Sequence, residues 1–204
     1  WIHEGFATYM ESLYLEEKYG EDEYNKFFRN KLLKQIPLKQ PIVPHRNATA
    51  ADVLGLDPYY KGAYVLHMLR YLIGDIIFFE ILNEFLHIKK QLPNNQVTTN
   101  DFIELVHKKT EKNLSWFFKT YLYEKEYPKL IKKTKHGSNH TFIELYWENK
   151  NFSMPVEVFY NSNTGLRQRK LSLTNKPTMI AIPQYNKIKI DPEKRILLRL
   201  NKKG

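Results

Sequence analysis

The spacing of the apolar residues changes near residue 126 of this 204-residue chain. Before that point apolar residues recur three and four positions apart, which is typical of amphipathic helices. Beyond Tyr127-Pro128 they fall in short stretches rich in β-branched and aromatic side chains, separated by turn residues, which is typical of strands. The sequence therefore predicts an α+β protein in two modules, a helical one over residues 1–126 and a small antiparallel β-sandwich over residues 127–204.

Apolar periodicity and helix start and stop signals predict five helices in the first module. They cover Trp1–Tyr19, Glu21 to about Leu33, Asp57 to about Gly74, the segment that begins at Asp75, and the segment that begins at Thr98 or Thr99. A short helical turn is predicted near Ala50–Leu54, after a loop that three prolines keep extended. The first module is therefore expected to consist of helices joined by loops.

Six strands are predicted in the second module. They are Thr141–Glu148, Pro155–Tyr160, Leu166–Leu173, Thr178–Ile182, Lys187–Ile190 and Ile196–Leu200. Their spacing and the turn residues between them favour the antiparallel sandwich.

The positive charge is concentrated in the second module. Residues 129–204 carry 16 Lys and Arg against 5 Asp and Glu, whereas residues 1–128 are close to neutral. Such an asymmetry can indicate a surface for an anionic partner. No compact Lys/Arg run or aromatic RNA-binding motif accompanies it, so we expect a solvated face and not a nucleic-acid surface. Binding of nucleic acid or of another anionic partner by this module is the alternative.

The sequence contains no cysteine, which excludes disulfides and thiolate metal ligands. A metal site would have to use His, Asp or Glu side chains. No apolar run approaches the roughly 20 residues needed to span a bilayer, so no transmembrane segment is predicted in this chain. The first residue is Trp, so we expect the natural N-terminus to lie upstream, and the sequence predicts no compartment.

The first eleven residues, Trp-Ile-His-Glu-Gly-Phe-Ala-Thr-Tyr-Met-Glu, carry the most specific signal in the chain. His3-Glu4 begins like the zinc motif His-Glu-x-x-His, in which two histidines four residues apart share a helix face. Ala7 stands where the second histidine would be, so the motif is absent here. By itself, Glu4 is an ordinary carboxylate favoured by the dipole at a helix start.

The pattern Trp-x-x-Glu-Gly-Phe-Ala-x-Tyr-x-Glu resembles a helix of the aminopeptidase N-like zinc metallopeptidases, the gluzincins that include leukotriene hydrolase. In that family the helix follows His-Glu-x-x-His by about eighteen residues and supplies a glutamate as the third zinc ligand. The resemblance places this role on Glu4. Most members have Asn where this chain has His3, and we expect His3 to pack nearby rather than bind metal, because adjacent helix positions point about 100° apart.

Glu11 lies seven residues beyond Glu4, two helical turns along the same face. The resemblance implies that its carboxylate accepts a hydrogen bond from the ring N–H of a zinc-bound histidine, which would fix the orientation of that ring. The alternative is an ordinary solvent-exposed carboxylate.

A second motif, Tyr-Tyr-Lys-Gly-Ala over residues 59–63, resembles the Tyr-x-Lys-Gly-Ala helix start of the same family. The family's tyrosine donates its hydroxyl to the tetrahedral intermediate, and the spacing to Lys61 and Gly62 assigns this role to Tyr59 rather than Tyr60. A donor is needed because negative charge builds on the carbonyl oxygen when water attacks a peptide bond.

The resemblance extends over essentially the whole chain. It implies the helical C-terminal half of a thermolysin-like catalytic domain followed by the β-sandwich, with zinc as cofactor and peptides as substrates. The His-Glu-x-x-His helix and the Gly-x-Met-Glu-Asn segment, which binds the substrate's α-amine, are not in this sequence.

We therefore expect a fragment of a zinc aminopeptidase that is inactive by itself. Its partner would be the missing N-terminal part of the same protein, which would supply the remaining zinc ligands upstream of residue 1. The face of the first helix that carries Glu4, Thr8 and Glu11 is expected to lie open. The alternatives are an inactive peptidase-like scaffold and a basic module that binds an anionic partner.

Overall fold

A computed structural model describes residues 1–36, 40–44, 55–88, 96–162, 164–183 and 188–203. The chain divides into two compact units, Trp1–Lys125 and Glu126–Gly204. The first unit is helical and the second consists mainly of antiparallel strands, so the predicted α+β fold class is confirmed. The helical turn predicted near Ala50–Leu54 lies outside the described residues.

The first unit is built from helices of very different lengths. They are α1 (Ile2–Tyr19), α2 (Glu21–Lys26), α3 (Leu33–Gln35), α4 (Asp57–Ile73), α5 (Asp75–Leu86), α6 (Thr99–Thr110) and α7 (Ser115–Phe118). Two π-helical segments join this series: Phe27–Leu32 connects α2 to α3, and Lys119–Tyr123 continues α7. In the part of the chain that the structure describes, no helix has the length and apolar character needed to cross a bilayer.

The helix boundaries follow from local chemistry. α1 and α4 end at Gly20 and Gly74, whose positive φ angles of 88° and 85° favour glycine. α6 begins after Thr98, whose hydroxyl accepts a hydrogen bond from the backbone N–H of Asp101. The Asp101 carboxylate accepts the backbone N–H of Thr98 in return, at 2.7 Å. These two reciprocal hydrogen bonds identify Thr98 rather than Thr99 as the cap. Such a cap stabilises a helix start by about 1 kcal/mol.

A buried polar network joins α1, α2 and α4. The hydroxyls of Tyr9 and Tyr24 are hydrogen-bonded to each other at 3.2 Å, and the Tyr24 hydroxyl lies 2.7 Å from Nδ1 of His67. The His67 ring stacks on Phe28 with 4.0 Å between the ring centroids. Burial raises the pKa of Tyr24 to about 12, so its hydroxyl stays protonated. These contacts hold α4 against α1 in one arrangement.

The second unit contains two sheets. Its strands are β1 (Lys129–His136), β2 (His140–Trp147), β3 (Pro155–Ser162), β4 (Gly165–Ser172), β5 (Thr178–Pro183), β6 (Ile188–Ile190) and β7 (Arg199–Lys203). The strand orders are β5-β2-β1-β7 and β4-β3-β6. The core contains Trp147, which is fully buried, donates its indole N–H to the Met154 carbonyl at 2.8 Å and packs on the Phe152 ring.

The strand prediction is wrong in two respects. The strand β1 is missing from it, because four of the eight residues of β1 are lysines and its apolar residues, Leu130 and Ile131, do not alternate. The last strand begins at Arg199 rather than Ile196 and pairs in parallel with β1, although the other paired strands are antiparallel. A parallel pair needs a long connection, and the rest of the unit provides it.

Candidate active site

α1 and α4 touch each other through two glycines. A Cβ atom placed on Gly5 would lie 2.9 Å from both the Cα and the carbonyl carbon of Gly62. A Cβ atom placed on Gly62 would lie 2.9 Å from the Cα of Gly5. Carbon atoms do not pack so closely, so glycine at both positions allows this contact. The two helix backbones therefore meet one residue after Glu4 and three residues after Tyr59.

This contact brings Glu4 and Tyr59 together. Glu4 is half-buried, and Tyr59 is 38% exposed. The negative charge of Glu4 raises the pKa of the Tyr59 hydroxyl above its ordinary value, and burial and a side-chain hydrogen bond with Glu4 act in the same direction. A tyrosine of ordinary pKa is already protonated at neutral pH, and the upward shift preserves that state, so the phenol can donate a hydrogen bond.

Replacing Glu4 with Gln in this chain is expected to lower the pKa of Tyr59 toward the ordinary value of about 10. The reason is that the carboxylate charge is the largest cause of the upward shift. NMR titration of the chain labelled with ¹³C at tyrosine Cζ, with the signal assigned through Tyr59→Phe, measures this pKa. The matched control, Glu11→Gln, should leave it unchanged. An unaltered pKa in Glu4→Gln would mean that the two side chains do not meet in solution.

The structure does not bring Glu11 to this pair. Its side chain is 59% exposed, and its carboxylate lies 3.5 Å from the ammonium group of Lys31. Seven residues of helix place it about 10 Å along α1 from Glu4. His3 is exposed at the start of the same helix. Of the residues singled out in the sequence, Glu4 and Tyr59 are the two that the fold brings together.

The prediction that the face of α1 carrying Glu4, Thr8 and Glu11 lies open is wrong at Thr8. Thr8 is 6% exposed and belongs, with Gly5 and Tyr9, to the buried side of the helix. Gly5 and Thr8 are three residues apart, close to one turn, so the packing that buries Gly5 buries Thr8 as well.

The chemistry of Glu4 suits a metal ligand, but the described residues do not include the other ligands of a complete site. Within the described residues, no three His, Cys, Asp or Glu side chains are grouped so that they could hold an ion. A catalytic zinc site normally has three protein ligands. Glu4, a half-buried carboxylate beside a hydrogen-bonding phenol, can fill one of those positions.

The role of Gly5 and Gly62 was not predicted from the sequence. Both glycines stand inside helices, where glycine is less favourable than alanine by about 1 kcal/mol. A helical glycine beside each of two candidate site residues was the available signal, because such a glycine often marks a close backbone approach. What the sequence alone did not show was that the two glycines contact each other.

The helices α1 and α4, which carry Glu4 and Tyr59, lie in a region of the chain that matches a known protein family. Residues 1–121 match the sequence model described as the Peptidase family M1 domain. The chain belongs to peptidase family M1. This membership confirms the family resemblance of the first and second motifs, and the matched M1 region contains Glu4, Glu11 and Tyr59.

The fold of this M1 chain is similar to that of a solved aminopeptidase. The crystal structure of Legionella pneumophila aminopeptidase A in complex with aspartic acid superposes with a TM-score of 0.69 at 18% sequence identity. The alignment covers 98% of this chain and 24% of that chain, so the M1 chain spans about a quarter of the length of that protein. At this identity the likeness shows the fold alone. No curated protein sequence matches the chain significantly.

Proposed function

We propose that this M1 chain is part of a zinc-dependent aminopeptidase that hydrolyses N-terminal residues from peptides. The observation that carries the proposal is the meeting of the Glu4 carboxylate with the Tyr59 hydroxyl on two helices of an M1 domain. A carboxylate ligand beside a neutral hydrogen-bond donor is a pairing that metal-assisted peptide hydrolysis can use directly.

Zinc, when bound, supplies a water molecule activated for attack at neutral pH. In this chain Glu4 would hold the metal as one of its ligands. The remaining ligands would come from sequence outside the chain, which spans 24% of the length of the aminopeptidase that it matches in fold.

Tyr59 would stabilise the negative charge that develops on the carbonyl oxygen of the substrate. Its hydroxyl carries its proton at neutral pH, as that of an ordinary tyrosine does, and the upward shift of its pKa preserves this donor. At 38% exposure the side chain is open to an incoming substrate. If Glu4 holds the metal, its charge would be shared with the ion, and the Tyr59 hydroxyl would be less strongly held by Glu4 and could donate to the substrate oxygen.

Glu11 would orient a metal-bound histidine from the missing sequence by accepting its ring N–H. Its present ion pair with Lys31 is long, at 3.5 Å, and both side chains are more than half exposed. Ion pairs of this kind contribute at most about 1 kcal/mol, so the pair can open when a better partner arrives.

The proposal is tested by expressing the chain together with the upstream sequence of its parent protein. We expect release of the first residue from peptides with a free α-amine, no release from N-acetylated peptides, loss of activity with a zinc chelator, and recovery with zinc. The 204-residue chain alone is the control, and it should neither hydrolyse peptides nor bind zinc tightly in a calorimetric titration, since a lone carboxylate competes poorly with water.

Two outcomes would contradict the proposal. Equal cleavage of free and N-acetylated peptides would exclude an aminopeptidase. A stoichiometric, submicromolar zinc site in the chain alone, abolished by Glu4→Ala, would show that the chain is a complete metal protein rather than part of one.

A further inference from the structure

Lys61, two residues after Tyr59 on α4, is a buried cation. It is 1% exposed, and its ammonium group donates a hydrogen bond to the backbone carbonyl of Glu124 at 3.1 Å. Glu124 directly follows the π-helical segment Lys119–Tyr123. The side chain of Lys61 therefore ties the start of α4 to the far end of the helical unit.

The burial of this ammonium group is energetically unfavourable. Burial lowers the pKa of Lys61 to about 8, although the nearby carboxylates of Asp57 and Glu124 act in the opposite direction. Asp57 is itself buried, at 2% exposure, in the first turn of α4. An apolar side chain of similar length would avoid this penalty, but it would leave the buried Asp57 carboxylate without its nearby cation, which is itself costly. Packing alone therefore does not account for a lysine here.

The geometry of α4 explains what the cation can do. Gly62 fixes α4 to α1 at one close point, the backbone contact with Gly5. The network of Tyr9, Tyr24 and His67 and the bonds of Arg70 to Glu16 hold the later turns of α4 against α1. In the first turn, Lys61 precedes Gly62 and points about 100° away around the helix, so its bond to Glu124 attaches this turn in a direction different from that of the glycine contact. Tyr59 lies in the turn that these two attachments hold.

We propose that Lys61 is a positioning residue that holds the first turn of α4 so that the Tyr59 hydroxyl meets Glu4. The catalytic meaning of this position rests on the proposed function, whereas the positioning itself is a property of the chain and can be tested without activity.

The test compares Lys61→Met with Lys61→Gln in the 204-residue chain. NMR distance contacts between the ring protons of Tyr59 and the side chain of Glu4 measure the position, and thermal unfolding measures the stability. Lys61→Met is expected to lose those contacts and to lower the unfolding temperature, because it leaves the buried Asp57 carboxylate without its nearby cation. Lys61→Gln retains a donor for the Glu124 carbonyl and should keep at least part of the contacts.

The matched control is Arg70→Met on the same helix. Arg70 donates to the carboxylates of Glu16, at 2.6 and 3.0 Å, and of Asp75, at 2.8 and 2.9 Å. Its loss should lower the unfolding temperature and leave the contacts between Tyr59 and Glu4 in place. Both Lys61→Met and Arg70→Met should therefore lower the unfolding temperature, but only Lys61→Met should lose the contacts between Tyr59 and Glu4.

The proposal is overturned if Lys61→Met keeps the contacts between Tyr59 and Glu4. It is also overturned if Lys61→Met and Lys61→Gln both fail to fold, because Lys61 would then be required by the whole unit rather than by one turn. Loss of the contacts in a protein whose complete form shows no aminopeptidase activity would remove the proposed function and leave the positioning role standing.

Discussion

Replacing Tyr59 with Phe in the complete protein is expected to lower kcat about 10²–10³-fold and to leave KM nearly unchanged. The hydroxyl interacts with Glu4 in the absence of substrate, so its removal costs little substrate affinity. The transition state, in contrast, loses a donor to the developing negative charge. Steady-state kinetics with a substrate that carries a free α-amine measures both constants.

Tyr60→Phe is the matched control for this prediction. Tyr60 is the next residue of the same helix and is half-buried. Its replacement by Phe removes the same hydroxyl group from a neighbouring position in the same turn. Its kcat should stay close to that of the unmodified protein. Equal losses in Tyr59→Phe and Tyr60→Phe would mean that the donor is wrongly assigned, and an equal rise of KM and fall of kcat would mean that the hydroxyl binds the ground state as well.

The helical unit could be predicted from the sequence because its signals are local. Gly20, Gly74 and Thr98 act on the residues beside them, so the ends of α1, α4 and the start of α6 follow from the chemistry of a few neighbouring positions. The two π-helical segments could not be predicted, because they carry the same apolar spacing as the α-helices that they adjoin.

In the β unit, two strands could not be predicted from local sequence signals. β1 is held by its pairs with β2, from Leu130 opposite Trp147 onward, and not by an alternating pattern of its own. Its parallel neighbour β7 lies some seventy residues further along the chain, with Leu130 opposite Leu200. A short window of sequence predicts neither the existence of β1 nor the direction of β7, because both depend on partner strands that are distant in the chain.

Glu4 and Tyr59 could be proposed from the sequence because each stands in a specific motif, and the structure adds that they meet. The means by which they meet could not be predicted. The contact of Gly5 with Gly62 involves backbone atoms, and the bond of Lys61 to Glu124 ends on a carbonyl group that every residue carries. Such contacts impose no side-chain pattern on the partner, and only the fold reveals them.

Replacing Gly5 with Ala is expected to destabilise the chain by about 3 kcal/mol, the upper part of the usual range for overpacking. The sign of this change in the free energy of unfolding distinguishes the prediction, because Gly→Ala inside a helix is ordinarily stabilising by about 1 kcal/mol. The new methyl carbon would lie 2.9 Å from two backbone atoms of Gly62, and backbone atoms can move away only if α4 moves as a whole. Urea unfolding of the 204-residue chain measures the change in free energy.

The same substitution should also separate the two residues of the candidate site. As α4 moves away from α1, the Glu4 charge acts less strongly on Tyr59, whose pKa should fall toward its ordinary value of about 10, as in Glu4→Gln. Ala7→Ser is the matched control, since it adds one atom to an exposed position two residues along α1 and should change neither quantity appreciably. A Gly5→Ala chain that is more stable than the original and keeps the raised pKa of Tyr59 would show that the helices do not touch at Gly5 in solution, and the geometry proposed for the site would then be wrong.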